Sequence, residues 1–365
     1  MTDQANTDQT SDDQTSDAPA DAVSTGADPA VVGPYLARVL DEPAWEQSSV
    51  SLISGGKSNL TYEVASPAGS IVLRRPPLAA VLPTAHDMGR EFRVQSALQD
   101  TPVPVAKVLH LCTDTEVLGA PFYLMDKIDG HVLRTELPPG LADGPAERTA
   151  MADALVDVLV AIHAVPTTGA LEGYGPPEGY LARQLRRWTR QWEASREVEL
   201  PALDALAADL SAGAPEQRET TLVHGDYRLD NTMIDRQDPS RILAVLDWEL
   251  STLGDPLADI GLLGVYWSGG SSKATNPLVQ TVTGLPGFPS RGEVFESYAE
   301  RSGRDVSVLP WYLAFGYFKL AVISAGIAAR ARAGGMVGEG FDTAGAAVPV
   351  LVDSGREALA SGSVD

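Results

Sequence analysis

The sequence predicts an α+β fold in two unequal parts: a small antiparallel sheet with one helix, then a larger and mainly helical region. Three observations carry this. Short period-two apolar runs crowd into residues 50–128, the apolar period lengthens to that of helices beyond Gly130, and one isolated hairpin sits inside the helical region among Asp and Asn residues. At 365 residues, with 44% hydrophobic and 21% charged content, the chain is long enough for two such units.

Taken in order, residues 1–30 hold seven aspartates, no basic residue and a repeated Asp-Gln-Thr-Ser-Asp, so they bury too little to offset ordering entropy and are expected to be a disordered acidic tail. The first unit spans 31–128. It opens with a short helical pattern from Val31 to Leu40, and strands at Val50–Ile53 and Leu60–Val64 flank a polar turn over 54–59. A third strand, Ser70–Arg75, stops at Pro76-Pro77, which can neither donate to a ladder nor continue a central strand. Thr84 and Asp87 form a capping box for a helix from about Ala85 to Leu98, with Met88, Phe92, Gln95 and Leu98 on one face and Glu91 at its edge. Strands at Val103–Leu111 and Phe122–Ile128 complete the sheet.

The second unit spans 129–360, with helices expected at 145–164, 179–195, 201–211, 291–302 and 311–333. Its hairpin pairs Thr232–Ile234 with Ile242–Leu246. The stretch Trp311–Arg330 is about long enough to cross a bilayer, but Lys319 near its middle is costly in lipid, so a buried core helix is expected and no membrane partner.

Acidic residues number 49 against 27 basic ones, a formal charge of -22, and no Lys/Arg block occurs, which disfavours nucleic acid as a partner. The single cysteine, Cys112, permits neither an internal disulfide nor a cysteine metal cluster, and no secretory signal pattern opens the sequence, so a cytoplasmic protein is expected. His86, His110, His131 and His163 lie on separate segments without ligand spacing. Nothing in the sequence assigns an oligomeric state.

The most informative segment is His224-Gly225-Asp226-Tyr227-Arg228-Leu229-Asp230-Asn231, an H-x-D-x4-N spacing followed, after the hairpin, by Asp247. Phosphoryl transfer requires a carboxylate at the acceptor hydroxyl and oxygen ligands that hold Mg2+ against nucleotide phosphates, and one Asp, one Asn and a second Asp supply that set. Through LVHGDYRLDN and VLDWELSTLGDPLAD the chain resembles the aminoglycoside phosphotransferase family, small-molecule kinases of bilobal protein-kinase-like fold. LRRPP, LPTAHDMGREFRV, PVPVAKV, PFYLM and RQLRRWTRQWEAS resemble more closely the branch related to the kinase domain of acyl-CoA dehydrogenase-type multidomain proteins, over about residues 45–335.

The resemblance implies ATP and Mg2+ as cofactors, Asp226 as the catalytic base or acceptor-orienting carboxylate, and Asn231 and Asp247 as metal ligands. Arg228 stands where many kinases direct a lysine to the transferring phosphate; a phosphate contact and a solvated loop arginine both remain open. Arg74 matches the strand lysine that pairs with a helix glutamate, here Glu91, and an arginine keeps the charge and forks to phosphate oxygens. Arg75 is expected to face the other way. Gly55, Gly56, Ser58 and Asn59 would cover the phosphates, although a Gly-Gly hairpin turn explains the same residues. Met125, Asp126, Lys127 and Ile128 would form the hinge that offers backbone groups to adenine. Asp255 and Asp259 in the Asp-Pro-Leu-Ala-Asp turn, with His224, are expected to brace the catalytic loop.

Asp247-Trp248-Glu249 lacks the Phe-Gly of a protein-kinase D-F-G and no Ala-Pro-Glu follows, so a phosphorylation-regulated activation loop is not expected. Arg183, Arg187 and Arg190 lie along one face of a predicted helix, either as a solvated face or as a dock for an anionic substrate such as a coenzyme A thioester. The expected function is phosphorylation of a small-molecule hydroxyl, with a hydroxyacyl-CoA among the candidate acceptors. The alternatives are phosphorylation of an aminoglycoside antibiotic, whose positive charge suits an acidic protein, and a catalytically silent nucleotide-binding module.

Overall fold

The computed structural model describes residues 26–54, 59–78, 86–196, 199–269, 281–332 and 342–364. The acidic segment 1–25, the turn residues Gly55, Gly56 and Ser58, and the capping residue Thr84 lie outside them.

The first lobe is a five-stranded antiparallel sheet of order β1-β2-β3-β5-β4, formed by β1 (Ser49–Ser54), β2 (Leu60–Ser66), β3 (Gly69–Arg75), β4 (Val108–Cys112) and β5 (Phe122–Asp126). Strand alternation divides the side chains of β3 between two covers. Ile71 and Leu73 join Tyr62, Val64, Phe122 and Leu124 in a core closed by Leu36 of α1 (Pro29–Val39) and by Trp45. Helix α2 (Met88–Leu98) covers the opposite face, where Met88 packs with Val108 and Tyr123. A four-residue α3 (Thr115–Leu118) links β4 to β5.

Three expectations need correction here. The packed chain begins before residue 31: Asp28 caps α1, Ala27 is buried, and the Gly26 carbonyl accepts from Arg75. The lobe therefore carries α1 as well as α2 on its sheet. Helix α2 starts at Met88, where Asp87 accepts from the Arg90 N–H at 3.0 Å. Its buried face is Met88, Glu91, Val94, Gln95 and Leu98, so Glu91 stands at the centre of that face. The fourth strand is shorter than expected, at Val108–Cys112.

The second lobe comprises α4 (Pro145–His163), α5 (Tyr180–Ser195), α6 (Pro201–Ala212), α7 (Leu257–Tyr266), α8 (Arg291–Ser302), α9 (Leu309–Arg332) and α10 (Asp342–Ser361). Two short strand pairs are set among them: β6 (Thr221–Val223) with β9 (Thr252–Gly254), and β7 (Thr232–Ile234) with β8 (Ile242–Val245), both antiparallel. Helix α9 is long and apolar enough to cross a bilayer, but 83% of its most apolar stretch is buried within the fold, which accounts for that composition. Helix α7, expected only as a structural turn, forms because nine of its ten residues are buried. A helix covered on all sides shows no amphipathic stripe.

The lobes meet at Gly130. A Cβ there would stand 2.5 Å from Met233 Cγ and 2.7 Å from the Ile234 carbonyl, so the crossing chain passes closer to β7 than any side chain allows. Beside it, His131 and Ile234 exchange two backbone hydrogen bonds of 2.8 Å.

Candidate active site

Each polar group of the catalytic loop is held by a different element. The β6–β9 pairing brings Gly225 against Leu250. Asp259, on the first turn of α7, accepts from the backbone N–H groups of His224 (2.7 Å) and Gly225 (2.8 Å), and His163 of α4 lies 3.3 Å from the same carboxylate. Burial would raise the Asp259 carboxyl, but His163, His224 and the amide donors outweigh it and hold the pKa below the usual value. The His224 Nε2 bonds the Leu246 carbonyl at 2.8 Å, tying the loop to the end of β8. Asp255 accepts from Tyr312 at 2.8 Å, and burial raises its carboxyl pKa.

The Asn231 amide donates to the Asp226 carbonyl (2.8 Å) and to Asp226 Oδ2 (3.1 Å). Both bonds use the amide nitrogen, which leaves Asn231 Oδ1 as an oxygen ligand. Asp247 follows β8 in a left-handed conformation (φ 58°), and its carboxylate is 44% exposed toward the cleft. Arg74 Nη2 lies 2.6 Å from Asp247 Oδ1, Arg74 Nε lies 2.9 Å from Glu91 Oε2, and Arg74 Nη1 donates to Thr61 at 3.1 Å. Burial works against the Arg74 charge, but Glu91, Tyr123 and Asp247 overcome it and raise the pKa. Burial likewise raises the Glu91 carboxyl, with Arg74 pulling it part of the way back. Arg75 points to the opposite face and donates to the Leu118 carbonyl at 3.0 Å.

A cleft of about 500 Å³ opens between the lobes. Val72, Ala106, Met125, Met233 and Leu246 give it apolar walls, Asp126, Lys127 and Ile128 line one edge, and Arg74, Arg228, Asn231 and Asp247 stand at its polar end. Apolar walls beside a charged end suit a ligand that has an apolar part and a charged part. The Asp247 carboxylate and the Asn231 amide oxygen are hard donors, suited to Mg2+.

Residues 49–292 match the phosphotransferase enzyme family. The chain belongs to that family. Mouse acyl-CoA dehydrogenase family member 10 is 39% identical over 283 residues, 76% of this chain but 26% of that protein, so the chain spans about a quarter of its relative's length. A solved structure of a candidate aminoglycoside phosphotransferase from Ralstonia eutropha superposes with a TM-score of 0.74 at 36% identity, over 86% of this chain and 93% of the other. The aminoglycoside phosphotransferase APH(4)-Ia, solved with ADP and hygromycin B, shares the fold with a TM-score of 0.59 at 16% identity, over 89% and 98% of the two chains. The fold is thus the bilobal kinase-like one.

On this phosphotransferase scaffold, two predicted groupings are redrawn. Asn59 does not line the cleft: it is 3% exposed, and its amide donates to Glu91 Oε1 (2.5 Å) and Glu249 Oε2 (3.3 Å). The side chain bridges two carboxylates that lie far from it in sequence. The three helix arginines do not make one dock. Arg183 folds back onto the carbonyls of Pro176 and Glu178, Arg187 lies over Trp188 at 5.2 Å, and Arg190 joins Arg186 in a groove between α5 and α6. One helical face spans too wide an arc to converge on one ligand.

Arg228 is packed rather than solvated. Its Nε lies 2.9 Å from Asp230 Oδ1 and 3.5 Å from Asp226 Oδ2, and its guanidinium covers the Tyr266 ring at 4.5 Å. Asp230, Tyr266, Tyr123, Glu249 and Lys319 were not singled out as site residues from the sequence. Asp230 could have been, by its place between Arg228 and Asn231. Lys319 could have been, as a charge inside an apolar helix.

Proposed function

We propose that the protein is an ATP- and Mg2+-dependent kinase that phosphorylates a hydroxyl of a small molecule, and that the acceptor is a hydroxyacyl-CoA. The observation that carries this reading is the meeting of Asn231, Asp247 and Arg74 at the polar end of the cleft, with Asp226 hydrogen-bonded to Asn231. Asn231 Oδ1 and the Asp247 carboxylate would hold Mg2+, which supplies charge neutralisation between nucleotide phosphates. Arg74, braced by Glu91, would engage phosphate oxygens, and Arg228 would face the charge that develops on the transferring group. Asp226 would orient the acceptor hydroxyl and take its proton as the oxygen attacks the γ-phosphorus of ATP and the bond to the β-phosphate oxygen breaks, releasing ADP. The rest of the catalysis is positioning.

The acceptor reading rests on the relatives: acyl-CoA dehydrogenase family members 10 and 11 contain a segment that matches this chain, and their names point to coenzyme A thioesters. The test is ADP release with Mg-ATP against hydroxyacyl-CoAs, free hydroxy acids and kanamycin-type aminoglycosides. Turnover with the thioesters, lowered about 10²- to 10⁴-fold in Asp226→Asn while nucleotide binding persists, is expected. Faster turnover with an aminoglycoside would overturn the acceptor, and full activity of the variant would overturn the role of Asp226.

A further inference from the structure

Lys319 is the one charged residue of α9 between Leu309 and Ala329. Its ammonium donates to the Gly225 carbonyl at 2.7 Å and stands 5.6 Å from the centroid of the Trp188 ring. With Tyr180, Gln184, Trp188 and Phe315 it surrounds a cavity of about 20 Å³ beside Gly225. Burial lowers the Lys319 pKa, and Asp226 and Asp259 act in the opposite sense. An ammonium among aromatic side chains costs several kcal/mol to desolvate, and the Gly225 carbonyl with the nearby carboxylates of Asp226 and Asp259, the latter on the same cavity, offsets only part of it. A methionine would fill the same volume. Packing therefore gives no reason for a lysine at this position.

The carbonyl it binds gives one. Gly225 has φ +85°, and a Cβ there would stand 2.7 Å from the Leu250 carbonyl, so the chain passes this point in a single conformation. The Gly225 N–H is held by Asp259, and the Asp226 N–H faces His224 Nδ1 at 3.2 Å. Lys319 holds the remaining polar group of the peptide that leads into Asp226. We propose that Lys319 is a positioning residue for phosphoryl transfer: by anchoring the Gly225 carbonyl it fixes the peptide plane from which the Asp226 carboxylate is aimed at the acceptor hydroxyl. This rests on the kinase reading above, and it acts on turnover and not on nucleotide affinity.

Two variants test it, Lys319→Met, which keeps the volume, and Lys319→Arg, which keeps the charge. With Mg-ATP and a medium-chain hydroxyacyl-CoA, Lys319→Met is expected to lose about 10- to 100-fold in kcat, the order expected for a misplaced catalytic group. Binding of Mg-ADP by calorimetry should stay within about twofold; the Gly225 carbonyl loses its donor, so the melting temperature should fall by about a few degrees, and kcat is compared at a temperature where both proteins are folded. Lys319→Arg should recover part of the lost turnover. Hydrogen exchange of peptide 222–231 should quicken in Lys319→Met, a readout that needs no acceptor. Unchanged kcat, unchanged exchange in that peptide, or a loss of nucleotide affinity equal to the loss of turnover would each overturn the assignment. Should the parent protein release no ADP with any acceptor, the kinase reading fails, and the exchange measurement still decides whether the lysine orders the loop.

Discussion

At the scale of single residues, Asp259 shows how a buried charge can order a loop. Its carboxylate is 1% exposed, receives two backbone N–H groups and faces His163, and it contributes nothing to the cleft itself. Its folded pKa lies below the ordinary aspartate value, so the folded state favours the ionised form. The resulting stability is fully present above the unfolded pKa, at about pH 4, and fades as pH falls through the lowered folded value. Hydrogen bonds to a buried charged group contribute about 1.5–3 kcal/mol each. Urea unfolding of Asp259→Asn at pH 7 should show a loss of that order, and the gap to the parent should narrow at pH 3. A gap independent of pH would show that the carboxylate's charge is not what stabilises the loop. The spacing of His224, Asp226 and Asn231 was legible because these residues lie in one turn. Asn59 was not, because its partners Glu91 and Glu249 come from 32 and 190 residues away.

At the scale of elements, α2 is bound to both lobes. Toward the sheet it offers Glu91 to Arg74 and Tyr123. Toward the second lobe, Arg90 Nη2 donates to the Ser251 carbonyl at 2.9 Å and stacks 3.9 Å over the Tyr174 ring, while Arg93 donates to the carbonyls of Ala170 and Glu172. The helix that carries the ion pair is thereby fixed against the segment following Asp247. Removing Arg90 leaves the Ser251 carbonyl short of a donor, a loss of about 1–3 kcal/mol. Arg90→Ala should lower stability by that amount in denaturant titrations and weaken Mg-ATP binding several-fold by calorimetry; unaltered binding would mean that Glu91 and Arg74 keep their geometry without the clamp. Amphipathic pattern found α2 but put Glu91 at the edge of its face, since a periodicity argument counts an acid as solvated. Burial of that acid depends on Arg74, Asn59 and Tyr123, which three different strand regions supply. The same argument missed α7, whose residues are buried all round and therefore show no stripe.

At the scale of the whole molecule, the two lobes contribute complementary halves of one polar site: Arg74 and Glu91 from the sheet lobe, Asn231 and Asp247 from the helical lobe, joined by the 2.6 Å contact of Arg74 with Asp247. Both lobes were legible as units because a change of apolar period separates them, whereas their closure depends on contacts between residues as far apart as Arg74 and Asp247. That contact sets a competition. An Asp247 carboxylate that binds Mg2+ must share its oxygens between the metal and the guanidinium, and nucleotide phosphates offer Arg74 a replacement partner. Nucleotide and metal should therefore stabilise the protein more than either does alone, since each relieves the cost of the other's binding. A ligand at 100 times its Kd adds about 2.7 kcal/mol, a shift of several degrees in melting temperature. In the parent, the shift produced by ATP should grow when Mg2+ is added. In Asp247→Asn, ATP alone should still raise the melting temperature, because Arg74 and the apolar walls remain, while Mg2+ should add nothing further. An equal Mg2+ increment in parent and variant would place the metal away from Asp247 and separate the two halves of the site.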